Sequence, residues 1–459
     1  MNQLWEESRK TMYPLVGVPP TIAAGMQAYR EVFCRTEGFN LVSRYVSGLL
    51  LCENKTLQGI YAQQVWPEGE EVSRRAMHAA VFEAGWSSAD LMAVHRARMA
   101  QEHRGGRGRE VISLDWTLAH HERGPQIFGV KKAYDYVQER YGLFQTVVTA
   151  TIANRAHVDG LAVAVQAPSW AAEEREYLAM SAQESYTEMA ALQKRLVELL
   201  AYQRNRLAYR KRTEIVVEIV QALEQEGQFP TAHYAFDNGV LTLPLTRLIE
   251  SCGKHWVSEI ESSRHINWQG VWRRVDEVAQ ELRTQHPTSF RKIKVKGRNG
   301  EAREYWCFTK VVRLKRYGRK RLVIAHEQAD LSDTSRFLLT DAQHWESGRV
   351  LEMWSYRWPC EIFHEFSKQE TGLESAQVRK EEAVNRHFRL SCVAQSLLQR
   401  TPASGGKSER FAFAEGKATV GQQVYTLARE AFAGVLQCAH QLFAKGRTCE
   451  QVLEALMPA

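Results

Sequence analysis

The sequence predicts an α/β core, interrupted by a β-rich insertion and flanked by helical regions at both ends. Three observations carry this. Apolar residues recur at helical spacing over residues 1 to about 105 and again from about 374 to 459. Between these regions the pattern shifts to short alternating or continuous apolar runs bounded by turn residues, which mark strands. Within that middle region the positive charge of the chain gathers in one alternating segment.

The elements follow in order. LVSRYVSGLLL, KTLQGIYAQQV, VSRRAMHAAVFEAGW and SADLMAVHRARMAQ each read as helices. The tight turns between them fit a helix-turn-helix module or a plain helical bundle equally well. The glycine-rich, basic link EHRGGRGRE marks a boundary. EVISLDWT predicts a short strand ending at Asp115, and FQTVVTATIANRAHVDGLAVAVQAPSW a hairpin with its turn at VDG. A long helical region spans about 170–226; its segment RLVELLAYQRNRLAYRK reads as a pairing surface or an extended structural helix. TAHYAFDNG predicts a strand ending at Asp237, VLTLPLTRLIESCG a helix and KHWVSEIES a strand. An interruption from about 264 to 341 precedes the helix that bears Glu361, and a helical tail is broken at RTPASGGKSER.

A chain of 459 residues exceeds one simple core, and roughly two to four domains are expected. With 44% hydrophobic and 25% charged residues, the composition is that of a globular protein and excludes a disordered one. No apolar run approaches a membrane span, and the Met1 end carries no signal-peptide pattern. The eight cysteines are scattered without a CxxC or a Cys/His pairing, so neither a zinc site nor a disulfide framework is expected. A reducing cytoplasm without a membrane partner is the expected setting.

Residues 291–321 hold thirteen Lys/Arg and two Glu, a net of +11 against +7 for the whole chain, so the rest carries −4. Alternation in KIKVKG and FTKVVRLKRYG predicts a β-hairpin. A folded basic hairpin suits a polyanion, and phosphate backbones are the commonest one. Edge protection by Lys and Arg is the other reading, but it does not need thirteen cations.

The block WSYRWPCEIFHEFSK (354–368) mixes charges with aromatics. Pro359 fits the start of a helix. Glu361 then falls in its first turn, Lys368 lies two turns on, and Arg357 stands just before it. A capping Glu on an amphipathic helix explains this block by itself. Asp115 and Asp237, however, both stand at the C-terminal ends of apolar strands, where ligands of open α/β sheets collect. Each aspartate alone also reads as a turn or capping residue. Jointly, three acids from distant parts of a chain can hold two Mg²⁺ ions. Such ions activate an attacking oxygen and stabilise a leaving one across a phosphate.

These segments and acids resemble the catalytic domain of DDE transposases from bacterial insertion sequences. The likeness is to the cut-and-paste branch with a Tyr-Arg-Glu-Lys signature. Arg357, Glu361 and Lys368 fit that signature, with Trp354 in place of its tyrosine. RWPCEIFHEFSK and the following TGLESAQVRKEEAVNRHF are the most specific piece; LDWT and AFDNGVLT match the two Asp motifs more loosely. The resemblance covers about residues 107–400 and implies a ribonuclease-H-like core. Asp115, Asp237 and Glu361 would be its catalytic metal ligands, with two Mg²⁺ ions for which Mn²⁺ can substitute. It implies double-stranded DNA partners, both transposon ends and target, a homodimer or higher oligomer on DNA, and a bacterial cytoplasmic, nucleoid-associated setting. Trp354, Arg357 and Lys368 would contact the DNA, the two cations holding phosphates and the aromatic block packing the helix and capping a base.

The expected division is a helical DNA-binding region 1–106, a core in two parts (107–263 and 342–400), a basic β-rich insertion 264–341 and a helical region 401–459. Lys310, Arg313, Lys315, Arg316, Arg319 and Lys320 are the expected backbone contacts. Trp306 is a candidate for stacking on an extruded base, although a hairpin tryptophan also serves packing. His120 and His121 follow Asp115, and hydrogen-bonded or solvated roles suit them better than a metal. Two other functions stay open: a nuclease of the same fold without strand transfer, and a transposase-derived DNA-binding regulator.

Overall fold

A computed structural model describes residues 14–66, 69, 71–104, 109–136, 138–167, 209–298, 300–403 and 419–457. The predicted helix over 170–226 therefore lies largely outside the described residues.

The first part is helical, as its periodicity predicts. A two-strand parallel pair, β1 (Leu15–Val16) and β2 (Gln64–Val65), encloses α1 (Pro20–Met26), α2 (Thr36–Leu51) and α3 (Leu57–Ala62). α4 (Arg74–His78) and α5 (Ser88–Arg104) follow. Thr56 and Ser73 cap α3 and α4 by accepting from the backbone N–H groups of Gly59 and Ala76.

The core strands are β3 (Val111–His121), β4 (Lys131–Asp135), β5 (Arg140–Ala153) and β6 (Val158–Val165). α6 (Arg212–Glu226), β7 (His233–Phe236), α7 (Leu243–Ser251) and β8 (Trp256–Glu259) continue them. The 264–341 region supplies β9 (His265–Trp268), β10 (Val271–Arg274), α8 (Val275–Gln285), β11 (Arg291–Lys296), β12 (Ala302–Leu314), β13 (Gly318–His326) and β14 (Arg336–Thr340). The chain ends in α9 (Ser347–Ser355), α10 (Trp358–Gln369), α11 (Glu381–Arg400), α12 (Val420–Ala444) and α13 (Cys449–Leu456).

β3–β14 form one sheet in the order β10-β9-β12-β13-β14-β8-β7-β3-β5, with β4 and β6 sharing the outer edge of β5 and β11 on β12. β3, β7 and β8 run parallel, and β5 and β6 are antiparallel additions. The insertion does not stand apart as its own sheet. β14 pairs antiparallel with β8, so the open edge of β8 is closed by the insertion's strands.

Alternate residues of β3 and β5 feed opposite faces. Val111 and Val147 join the first face, covered by α10, α11 and the N-terminal helices. Ile112, Leu114 and Val148 join the second, covered by α6 and α7. Both faces being covered explains the unbroken buried run Phe144–Ala153.

Three local expectations are corrected. The β5–β6 turn is not at VDG but at 154–157, where Asn154 Oδ1 accepts from the N–H groups of Ala156 and His157, each at 2.8 Å. Strand β3 does not end at Asp115 but continues to His121, because β5 pairs with it throughout. The segment before Glu361 is two helices, broken at 356–357.

Moving the turn buries Asp159. It accepts from His103 Nε2 (2.9 Å), Ser396 Oγ (2.6 Å) and both terminal nitrogens of Arg400 (2.8 and 3.0 Å). This ties β6 to α5 and α11. The next residue, Gly160, lets α10 and α11 approach: a Cβ there would lie 2.8 Å from the Phe363 ring and 3.1 Å from Cys392 Sγ. Burial by itself raises the Asp159 carboxyl, but the bonds from His103 and Arg400 outweigh it and hold the group well below its ordinary range. The ionised network thus stabilises the fold above the unfolded-state carboxylate pKa near 4, and that contribution is lost as pH falls. Asp159→Asn, which takes the buried carboxylate from Arg400 and His103, is expected to cost about 3–5 kcal/mol at pH 7. Urea unfolding of variant and wild type at pH 7 and about pH 2 checks it; the gap must narrow in acid.

Candidate active site

The parallel register of β3 and β7 pairs Leu114 with Phe236. The next residues are Asp115 and Asp237, so the two acids leave adjacent strands side by side. β7 stops there, and from Asp115 onward β3 has lost that neighbour. The aspartates therefore border the end of a parallel pair, as expected for a ligand-binding edge.

Each aspartate has one oxygen committed locally. Asp115 Oδ1 accepts from the Trp116 N–H at 2.8 Å, and Asp237 Oδ1 from the Val240 N–H at 3.1 Å. The turn of Asp237 lies against Trp116: a Cβ on Gly239 would be 3.1 Å from that ring and 3.3 Å from Asp237 Oδ1. The Arg212 guanidinium covers the same ring at 4.3 Å.

Helix α10 brings the third acid. Its buried residues Cys360, Phe363, His364 and Ser367 follow the i, i+3, i+4, i+7 pattern of a face laid on the sheet. Pro359 sits in the first turn together with Glu361, and Lys368 in the last, each charge favourable to its helix end. Glu361 is turned to Arg357, whose terminal nitrogen lies 2.5 Å from Oε1. Arg357 also stacks on the buried Trp354 ring at 5.0 Å. Lys368 does not flank Glu361; it lies 3.6 Å from Glu374. Glu374 also accepts from the His120 N–H, and His120 Nε2 meets Asp135 at 2.7 Å. His121 bonds to Gln145. Both histidines are thus held by hydrogen bonds.

Sequence reasoning missed the groups beneath Asp115. Cys360, His364 and Asp115 each offer a ligand atom within 4.8 Å of the others, and among the described residues this is the only such group of three. The three carboxylates stand more widely, with Glu361 drawn toward Arg357. The signal that could have found the cluster is the i, i+4 spacing of Cys360 and His364.

Burial, then the Asp237 charge and more weakly Glu361, push Asp115 up to about 7, against lowering by the Trp116 N–H and Arg357. Burial also lifts the Cys360 thiol to about 12 and lowers His364 to about 3. An Asp115 carboxyl kept from ionising by burial and a neighbouring acid fits a divalent cation with oxygen ligands, which would favour its charged form.

The basic segment is a three-stranded meander. β11 pairs with β12, and β12 with β13. Arg313 lies directly opposite Arg319, a like-charged cross-strand pair, and exposed Lys315 and Arg316 form the turn beyond it. Such an arrangement is unfavourable without an anion. Tyr317 in that turn donates to the carbonyl of Leu241, 3.4 Å away, on the loop that follows Asp237. Lys310 is exposed and lies over the Trp268 ring at 4.2 Å. Lys320 differs from the exposed row: it is buried and paired with Glu250 at 2.9 Å, because its side chain shares the core-facing side of β13 with Leu322. Trp306 lies inside β12, partly buried against the core, with the Lys292 amine 5.5 Å from its ring.

The sequence model of the DDE superfamily endonucleases matches residues 7–306, and the chain belongs to that family. Transposases and nucleases of the DDE type make up this class. The matched span contains Asp115 and Asp237 and ends before Glu361. No curated protein matches the chain. No helix among the described residues is long and apolar enough to cross a membrane.

The raised Asp115 predicts a pH-dependent cost. Its charged form is disfavoured in the fold, so stability is lost as pH rises from the unfolded value near 4 to about 7. Full desolvation would make this roughly 4 kcal/mol, and solvent screening at a partly exposed group reduces it to about 2. In buffer free of divalent cations, Asp115→Asn should therefore be more stable than wild type at pH 8 and equal to it near pH 4. Urea midpoints at the two pH values decide this; equal midpoints at pH 8 would refute it.

Proposed function

We propose that this endonuclease-family protein is a DNA transposase of the cut-and-paste type. It would bind the terminal inverted repeats of a mobile element, cleave there and join the 3′-hydroxyl ends to target DNA. The observation that carries the reading is the convergence of Asp115 and Asp237, by strand register, with the Glu361-bearing helix. The order β6-β5-β3-β7-β8, with an antiparallel trio followed by two parallel strands, supports a ribonuclease-H-like core.

Asp115, Asp237 and Glu361 would hold the divalent cations, Mg²⁺ by preference, which when bound activate the attacking oxygen and stabilise the leaving one. The chain's other residues position the DNA. The basic turn of β12–β13 touches the Asp237 loop through Tyr317, so a duplex held by Arg313, Lys315, Arg316 and Arg319 would run toward the acids. Arg357 has two roles in sequence. Without DNA it pairs with Glu361, and with DNA it would transfer its planar fork to a phosphate and free the carboxylate. Lys368 would reach a second phosphate by leaving Glu374. A dimer or larger assembly would hold two ends together.

Asp115→Asn, Asp237→Asn and Glu361→Gln should each abolish Mg²⁺-dependent cleavage of a terminal-repeat duplex while retaining binding in gel shifts. Near-normal cleavage by one variant removes that residue from the site. Retained cleavage without joining of 3′ ends would favour the plain nuclease.

Changing Arg313, Lys315, Arg316 and Arg319 to Gln should weaken binding to all DNA alike. Each lost phosphate contact should lower the slope of log K against log salt by about 0.9. Lys320→Gln should leave the slope alone, and an unchanged slope in the fourfold variant takes this turn off the DNA.

Arg357→Ala should slow single-turnover cleavage of pre-bound duplex, with Arg357→Lys restoring only part of the rate. Wild-type cleavage by Arg357→Ala would leave the Glu361 contact as a structural ion pair.

A further inference from the structure

Beneath Asp115 lie groups that the reading above leaves unused. Cys360 and His364 stand one turn apart on α10, both buried and both facing the sheet. Cys360 Sγ is 3.8 Å from His364 Nε2. Thr149 Oγ1 on β5 is 2.7 Å from the same nitrogen and 3.9 Å from the sulfur. A carboxylate oxygen of Asp115 lies within 4.8 Å of the ligand atoms of both residues.

This spacing is close to a tetrahedral zinc site. Bonds of about 2.3 Å to sulfur and 2.0 Å to nitrogen place the two ligand atoms roughly 3.5 Å apart. The observed 3.8 Å needs a shift of a few tenths of an ångström. Two ligands at i and i+4 on one helix already point to a common centre. Asp115 Oδ1 is engaged by the Trp116 N–H, which leaves Oδ2 as a third ligand and a fourth position for water. Thiol and imidazole select a soft or borderline cation, whereas Mg²⁺ takes oxygen ligands.

We propose that Asp115, Cys360 and His364 form an inhibitory site for a thiophilic divalent cation of the zinc class, which competes with the carboxylate site for Asp115. The cation would displace the thiol proton to solvent and stabilise the thiolate it creates. His364 would exchange its bond with Thr149 for the metal. Asp115 Oδ1 is held by the Trp116 N–H, so both centres would draw on the remaining oxygen, and occupation of the soft site would take that ligand from the hard one. The binding stands on the cluster's geometry alone; the inhibition rests on the proposed cleavage activity.

The test uses the full chain. Co²⁺, added without Mg²⁺ or DNA, should give a thiolate-to-cobalt charge-transfer band and tetrahedral ligand-field bands, discharged by Zn²⁺. Cys360→Ser should lose the charge-transfer band, and His364→Asn should weaken Co²⁺ binding about tenfold or more. In Mg²⁺-dependent cleavage, Cys360→Ser should keep its basal rate and need at least about tenfold more Zn²⁺ for half-inhibition. Absence of the band in wild type, or its persistence in Cys360→Ser, overturns the site. Equal Zn²⁺ sensitivity of the two proteins overturns the inhibition. If the chain cleaves no DNA with Mg²⁺, the proposed function and the inhibition resting on it both fail, while the cobalt spectra still decide the binding site.

Discussion

The parallel pairing of β3 with β7 is the constraint on which the rest of the candidate site depends. Asp115 and Asp237 lie far apart in sequence, yet pairing Leu114 with Phe236 makes them neighbours. A slip of one residue would turn one aspartate to the opposite face of the sheet. Buried strand faces prevent that slip, because Ile112 and Leu114 would exchange places with Val111 and Ser113. Apolar burial therefore fixes two acids side by side, and burial first, with the Asp237 charge second, pushes Asp115 up to about 7.

Packing on the α10 side of the sheet, the face to which Asp115 points, sets the third acid. Gly160 provides room for Phe363, and the buried ionic network of Asp159, His103 and Arg400 fastens β6 to the helices around it. Glu361 is carried on the helix seated by these contacts. The two aspartates depend on backbone hydrogen bonds, whereas the glutamate depends on side-chain packing. It is thus the acid most free to change partner, and Arg357 is the partner it has here.

Charge in the insertion follows a similar logic. Strand alternation divides its cations between faces, and the side chain that faces the core, Lys320, finds Glu250. Those near the turn oppose one another and stay exposed. The contact of Tyr317 with Leu241 links this crowded end to the Asp237 loop, so the most basic surface and the acidic site share one region of the molecule.

Local features were legible in the sequence: helix and strand periods, the Pro359 helix start, a basic hairpin, and Asp115, Asp237 and Glu361 with Arg357 and Lys368 as candidates. These depend on spacing within one segment, which the order of residues records directly. Tertiary structure alone decided which distant groups meet. It paired Lys368 with Glu374, moved the β5–β6 turn to Asn154, buried Asp159 and joined the insertion to the core sheet through β14. It also set Cys360 and His364 against Asp115, although their i, i+4 spacing was visible in the chain. The physical reason is that a charge or an open strand edge takes whichever partner the packed backbone delivers, and a local pattern gives the need for a partner without its identity.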